Sequence, residues 1–400
     1  MIKWFRNIGP GALVTAAFIG PGTVTLCTLA GVNFGYTLLW AMTLSIIATV
    51  ILQEMAARLG IITQKGLADI IKEQIKYPIL KKLAVILILS AIVIGNAAYE
   101  AGNISGASLG ISAVFGDTLY YLYPIIIGIL AFGLLYIGNY KILERSLIAL
   151  VIIMSISFLL TAVITKPDFG LMLKGMLVPS FPDGSMLTII GLIGTTVVPY
   201  NLFLHASLVK EKWKSKDDLK YARKDTFISI ILGGIVSMAI IIAASAINSS
   251  DIKSGIDLAK GLEPLYGNFA KYFLGIGLFA AGITSAITAP LAAAYVANSC
   301  FGWNASLKDL KFRVVWFIIL ILGVVFSSLK INPIEIIKFA QIANGILLPV
   351  VALFLLWVVN KTSVLGIYKN GLLQNIISAI IILVTIVLGF KSIFKVFELL

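Results

Sequence analysis

The chain holds one histidine, two cysteines and only 12% charged residues. Soluble domains carry about twice that share of charge, so a water-soluble globular fold is excluded. Cys27 and Cys300 are too few, and too apolar in setting, for a disulfide framework or a cysteine metal site. His205 has no evident nucleophile partner, so enzyme chemistry finds no support and no cofactor is implied. A soluble basic face is also missing. The 31 Lys and Arg residues that give a net charge of +13 lie in short loops between apolar stretches. That distribution serves membrane topology and gives no sign of a nucleic-acid partner.

What is present is apolar length. Hydrophobic residues make up 60% of the chain, and the mean hydropathy is +1.03. The expected class is an all-α polytopic membrane protein whose surroundings are the lipid bilayer. Since a span needs ~20 apolar residues, helices are expected near 9–32, 35–59, 82–112, 119–138, 141–165, 186–210, 224–248, 264–300, 312–330, 333–359 and 373–397. The third and eighth are long enough to include a tilted or interfacial extension. The start, Met1 to Arg6, resembles the charged front of a signal peptide, but no small-residue cleavage site in polar surroundings follows, so the first helix is read as retained.

Cytoplasmic loops collect Lys and Arg. Here every second loop is basic. Lys3 and Arg6 precede the first span, Lys65 to Lys82 lie between the second and third, and Lys141 and Arg145 between the fourth and fifth. Lys210 to Lys224 lie between the sixth and seventh, Lys308 to Arg313 after the eighth, and Lys361 and Lys369 after the tenth. The other loops carry mixed charge, such as Asp251, Lys253, Asp257 and Lys260. The pattern predicts a plasma-membrane protein with a cytoplasmic N-terminus and an outside C-terminus.

Two spans contain a proline at mid-depth. One reads Gly20-Pro21-Gly22-Thr23 and the other Val198-Pro199-Tyr200-Asn201, with Thr195 and Thr196 just before. Proline removes a backbone donor and clashes with the preceding turn, so each span should break. The two prolines are 178 residues apart and each opens a set of five spans. Five is odd, so the second set is inverted. Discontinuous helices at matching places in inverted halves mark a LeuT-like 5+5 repeat with a midplane site. One transport domain is expected over 1–400, with a first repeat at 1–165, a second at 186–360 and an extra peripheral helix at 370–400. A plain proline kink in a packed helix is the alternative at either break. In the first span, the half-helix after the break should start near Thr23, a residue suited to capping it.

Further polar residues lie inside spans. Glu100 and Asn103 are three apart and share a helix face; a carboxylate in a span is functional by default, the alternative being a hydrated position at the rim. His205 follows the second break, either as a titrating group or as a histidine satisfied by a neighbouring helix. Gln341 and Asn344 offer amides to the cavity or hydrogen bonds between helices. Glu54 with Arg58 and the Glu144–Arg145 pair, near the inner surface, suit gating or structural ion pairs.

Several stretches resemble the Nramp family of proton-coupled divalent metal transporters. They are Gly31-Val32-Asn33-Phe34-Gly35-Tyr36 through Trp40, Leu52-Gln53-Glu54-Met55-Ala56-Ala57-Arg58-Leu59-Gly60, Pro199-Tyr200-Asn201-Leu202-Phe203-Leu204-His205, and Ala281-Gly282-Ile283-Thr284-Ser285. The resemblance implies a metal-ion symporter. It also exposes departures. The family's Asp-Pro-Gly-Asn reads Gly20-Pro21-Gly22-Thr23, and its Met-Pro-His reads Val198-Pro199-Tyr200. The ligand aspartate and the soft methionine are thus replaced by Gly20 and Val198. Glu100 to Gly106 aligns with the family's Asp-x-x-Glu-x-x-Gly, and the histidine at 205 is one the family associates with a proton route.

Substrate-contacting positions are therefore expected at Gly20, Thr23, Thr195, Val198, Tyr200, Glu100, Asn103 and Gln341. Pro21, Gly22 and Pro199 make the breaks, and His205 and Glu100 are candidates for proton movement. No metal ligand is assigned. Hydrated Mg²⁺ is the natural cation, because it dehydrates reluctantly and takes oxygen ligands. A neutral or anionic solute on the same scaffold, or a non-transporting membrane sensor, are the alternatives.

Overall fold

A computed structural model describes residues 9–138, 141–247, 252–303, 305–329 and 331–398, with the side chains of 12, 13, 16, 141–147 and 392–398 outside the described set. Lys3, Arg6 and Asp251, and the side chains of Lys141, Glu144 and Arg145, therefore lie outside the described residues.

The chain is a bundle of helices, with no strand among the described residues. The first span is two helices, α1 (Pro10–Phe18) and α2 (Pro21–Phe34). Then come α3 (Leu39–Thr63), a short α4 (Leu67–Gln74) and α5 (Pro78–Phe115). Next are α6 (Tyr123–Ile137), α7 (Lys141–Ile164) and a short α8 (Phe169–Leu177). The sixth span is also divided, into α9 (Met186–Thr196) and α10 (Pro199–Lys212). The rest are α11 (Leu219–Ala244), α12 (Ala270–Phe301), α13 (Leu310–Ser327), α14 (Pro333–Val359) and α15 (Leu372–Glu398).

Nine helical segments among the described residues are long and apolar enough to cross a membrane. The broken first span and α7, whose apolar part is Ile148–Ile164, bring the total to the expected eleven. Large apolar side chains such as Ile129, Leu130, Ile318 and Leu383 face outward. In water so much exposed apolar surface would drive association; in a bilayer it is the lipid-facing side.

The third span is one unbroken helix of 38 residues, roughly 57 Å at 1.5 Å per residue and longer than the ~30 Å hydrocarbon layer. The eighth is shorter than expected: residues 255–269 form a string of short helical turns before α12 begins at Ala270. Two helices were not foreseen. The first, α4, buries Leu67, Ala68, Ile70 and Ile71 and is held at its end by Lys72, which donates to the Ser299 carbonyl at the end of α12 (2.7 Å). The second, α8, is capped by Asp168, which accepts from the Leu171 amide at 2.9 Å. Both are too short to register as spans.

The middle of the bundle is built on close helix contact. Small residues let backbones approach in a membrane, where packing must supply what water does not. A Cβ on Gly110 of α5 would lie 2.5 Å from the Gly275 carbonyl of α12. One on Gly106 would overlap Pro21. The long α5 is thus pressed against the first break.

Candidate functional site at the two helix breaks

In the first break the peptide chain turns extended at Gly20, and α2 starts at Pro21. Proline suits a helix's first position, where its missing N–H costs nothing. The start is therefore Pro21 and not Thr23, and the expectation that Thr23 caps the half-helix is corrected. The Thr23 hydroxyl turns back and donates to the Phe18 carbonyl, one of the acceptors left free where α1 ends. The neighbouring free carbonyl, on Ala17, accepts from the Tyr99 hydroxyl of α5 at 3.1 Å and from Ser285 of α12 at 3.5 Å.

The second break is similar. Val198 is extended and Pro199 opens α10. Thr195 donates to the Leu192 carbonyl at 2.7 Å, and Thr196 pairs with Ser45 of α3. Tyr200 packs edge-to-face on Tyr99, ring centroids 5.5 Å apart. Tyr99 thus touches both breaks, through its hydroxyl at Ala17 and its ring at Tyr200. Sequence reasoning missed this residue; a phenol inside an apolar span, which needs a polar partner for its O–H, was the signal.

Gln341 joins the breaks from a third helix. Its amide lies over Gly22, where any Cβ would collide with it, and its backbone carbonyl lies against Gly194. Gly20, Thr23, Thr195, Val198, Tyr200 and Gln341 are all buried around this junction.

Glu100 goes elsewhere. Asn103 donates to the Glu100 carboxylate at 3.3 Å, so the shared face is real. Asn103 follows Tyr99 by four residues and precedes Gly106 by three, so it sits on the side of α5 that meets the first break, while Glu100 is turned away from it. Tyr99 points at the first break, and the next residue on an α-helix lies about 100° around the axis. The Glu100 side chain accordingly packs against Gly323 of α13. It is fully buried, and one of its oxygens has no hydrogen-bond partner. Glu100 is not at the rim, and it makes no hydrogen bond to either broken helix. His205 is buried on the far side of α10, its Nδ1 2.9 Å from the Gln53 side-chain oxygen of α3.

Some of the buried polar atoms without a partner belong to residues at the second break and on α14 beside it. Tyr200 Oη, both side-chain polar atoms of Asn201, Gln341 Oε1 and Asn344 Nδ2 are buried without a partner among the described residues. Buried polar groups are nearly always hydrogen-bonded. A cluster of neutral, unpaired donors and acceptors beside two helix ends can take up the hydrogen bonds of a ligand or its water shell. No group of three or more His, Cys, Asp or Glu side chains able to hold a bare metal ion occurs among the described residues.

Replacing Thr23 by valine leaves the Phe18 carbonyl unpaired. The expected cost is about 1–3 kcal/mol, seen as a lower melting temperature in detergent, with Thr23→Ser restoring it.

At the basic end of the bundle a second polar group holds helices together. Glu54 of α3 accepts from Arg58 at 3.1 Å and from Arg223 of α11 at 2.8 Å. Arg58, itself buried, also donates to the Tyr368 carbonyl at 2.5 Å and to Asn370 at 2.6 Å. Asp225 of α11 accepts from the Gly9 and Gly11 amides at 2.8 and 2.7 Å. A carboxylate there complements the positive end of α1. One end of the first broken span is thereby fastened to α11.

Two discontinuous helices whose breaks meet inside an eleven-span bundle define the class: a LeuT-fold membrane transporter with a 5+5 inverted repeat. The chain belongs to the Nramp family, since the family model described as natural resistance-associated macrophage protein-like matches residues 11–395. Among similar proteins is the divalent metal cation transporter MntH of Verminephrobacter eiseniae, 26% identical over 388 residues, which cover 93% of this chain and 85% of that one. A solved manganese transporter from Eremococcus coleocola superimposes with a TM-score of 0.79 at 20% identity, over 97% of this chain and 87% of that one. MhsT in complex with L-phenylalanine gives a TM-score of 0.61 at 16% identity, over 94% and 98%.

Proposed function

We propose that the chain is a secondary transporter that carries a divalent cation, best matched by hydrated Mg²⁺, by alternating access. Relatives named as divalent metal cation transporters support the cation. The observation that carries the rest is the neutral character of the break site. It offers hydroxyls, amides and helix ends where a bare ion would need carboxylates or a thioether. Soft ligands select transition metals, and Val198 supplies none. A bare divalent ion left unpaired in the interior is prohibitive. An ion that keeps its water shell needs only partners for that water, and Thr23, Tyr200, Asn201 and Gln341 fit that need.

Glu100, on the adjacent helix, does not touch the ion; buried with a neutral amide as its hydrogen-bond partner, it is a carboxyl able to hold a proton. In this reading the halves 1–165 and 186–360 rock against each other, and the Glu54 and Asp225 contacts close the inner side. His205 and Glu100 are the groups available to a proton.

Reconstituted protein should take up Mg²⁺ down an imposed gradient. Gln341→Ala should lower that flux, and Glu100→Gln should lower any proton movement that accompanies it. Flux unchanged in Gln341→Ala would remove the break site from the pathway. The same neutral site, faced by the amide ends of α2 and α10, also suits an anionic organic solute. No divalent flux, together with protection from unfolding by an amino acid or organic acid, would establish that second reading.

A further inference from the structure

The helices α5 and α14 touch closely in mid-bundle. A Cβ on Gly102 would lie 3.0 Å from Ala340, and one on Gly95 would lie 2.8 Å from Leu347. Toward the start of α5 and the end of α14 the facing side chains become large, and a groove of about 850 Å³ opens between the helices. That volume lies within the ~300–1,000 Å³ typical of small-molecule sites. Its floor and walls are apolar: Leu80, Leu83 and Leu87 from α5, Leu353 and Trp357 from α14. Its polar members gather at one end, where Lys76 and Lys361 line it beside Tyr77.

The placement of these groups indicates the occupant. Leu80, Leu83 and Leu87 are exposed on a lipid-facing span, so the groove opens sideways into the bilayer. Tyr77 and Trp357 stand near the ends of their spans, and such aromatic residues mark headgroup depth. Lys361 lies over the Trp357 ring at 4.6 Å, which holds the ammonium at the mouth. Two cations above an apolar trough complement a molecule with an anionic head and apolar tails. Basic pockets between spans on the cytoplasmic side hold anionic lipid headgroups by the same physics.

We propose that this groove is a binding site for an anionic phospholipid of the inner leaflet, with its chains along the leucine-lined trough and its phosphate between Lys76 and Lys361. The lipid would wedge between a helix of the first half and one of the second, so its occupancy bears on their relative motion.

The test uses the full chain purified in detergent and titrated with phosphatidylglycerol or phosphatidylcholine, with bound lipid counted by native mass spectrometry. One phosphatidylglycerol should be retained in preference to phosphatidylcholine. The double variant K76Q/K361Q should weaken that retention by roughly fivefold per lysine removed. K81Q/K82Q, which removes equal charge close by but outside the groove lining, should change it less than about twofold. Ala84→Trp, which fills the trough, should expel the lipid with both lysines in place. The lysine variants alter side chains at the groove mouth, so they decide the matter even where Ala84→Trp fails to fold. Equal weakening in the two lysine pairs, or equal retention of phosphatidylcholine, would overturn the proposal.

Discussion

Glu54→Ala should be the most damaging single substitution on the basic side of the bundle. The carboxylate neutralises Arg58, which is only 1% exposed, and also bonds Arg223. Removing one partner of a buried pair leaves an uncompensated charge, at a cost of about 3–5 kcal/mol. Arg58 keeps its bonds to Tyr368 and Asn370, which places the expected loss near the lower bound. The melting temperature in detergent should fall sharply. A cysteine label introduced on α3 beside Glu54 should become reactive from the basic side, because α3 is no longer fastened to α11. Arg58→Met with Glu54→Met, which removes both charges, should recover most of the stability. If the single variant is as stable as the parent, the contact is peripheral and does not hold that end closed.

Gly194→Ala should silence transport. The added Cβ would overlap the Gln341 backbone carbonyl, and a carbonyl in mid-helix cannot swing aside as a side-chain tip can. The α9–α14 crossing must widen, carrying Gln341 away from Gly22. Misplacing a functional group by ~1 Å can cost on the order of 100-fold in rate, and a flux loss of that order is expected. Gly133→Ala on α6, where a Cβ meets nothing within 4 Å, is the matched control and should transport normally. Equal flux in the two variants would show that the glycine contact does not set the site.

Much of this arrangement was legible in the sequence because it rests on long-range periodic signals. Apolar length gave the spans, and the tenth came out at 333–359 as expected. The breaks were legible too, though not from proline alone. Pro290 and Pro349 also lie deep within spans, and there the helix runs on. What differs at Pro21 and Pro199 is that each begins a new half-helix after an extended residue, Gly20 or Val198.

Azimuth was harder to read. That Glu100 and Asn103 share a face follows from spacing, but which neighbour that face meets depends on how α5 is rotated. Its rotation is set by Gly106 against Pro21 and by Tyr99 reaching Ala17. Neither contact is encoded within α5 itself. The role of Thr23 was misjudged for a related reason. A threonine can accept from an amide or donate to a carbonyl, and the free Phe18 carbonyl decided it.

The central claim is that a family scaffold has exchanged its ligands for a neutral site that passes a cation in its water shell. Proteoliposomes loaded with a divalent-ion indicator and a pH indicator and exposed in parallel to Mg²⁺ and Mn²⁺ test it most directly. Saturable Mg²⁺ entry, with Mn²⁺ preferred by no more than about tenfold, is the predicted result, since no soft ligand is present to separate the two ions. Strong selection of Mn²⁺ over Mg²⁺, with protons entering alongside it, would contradict the account.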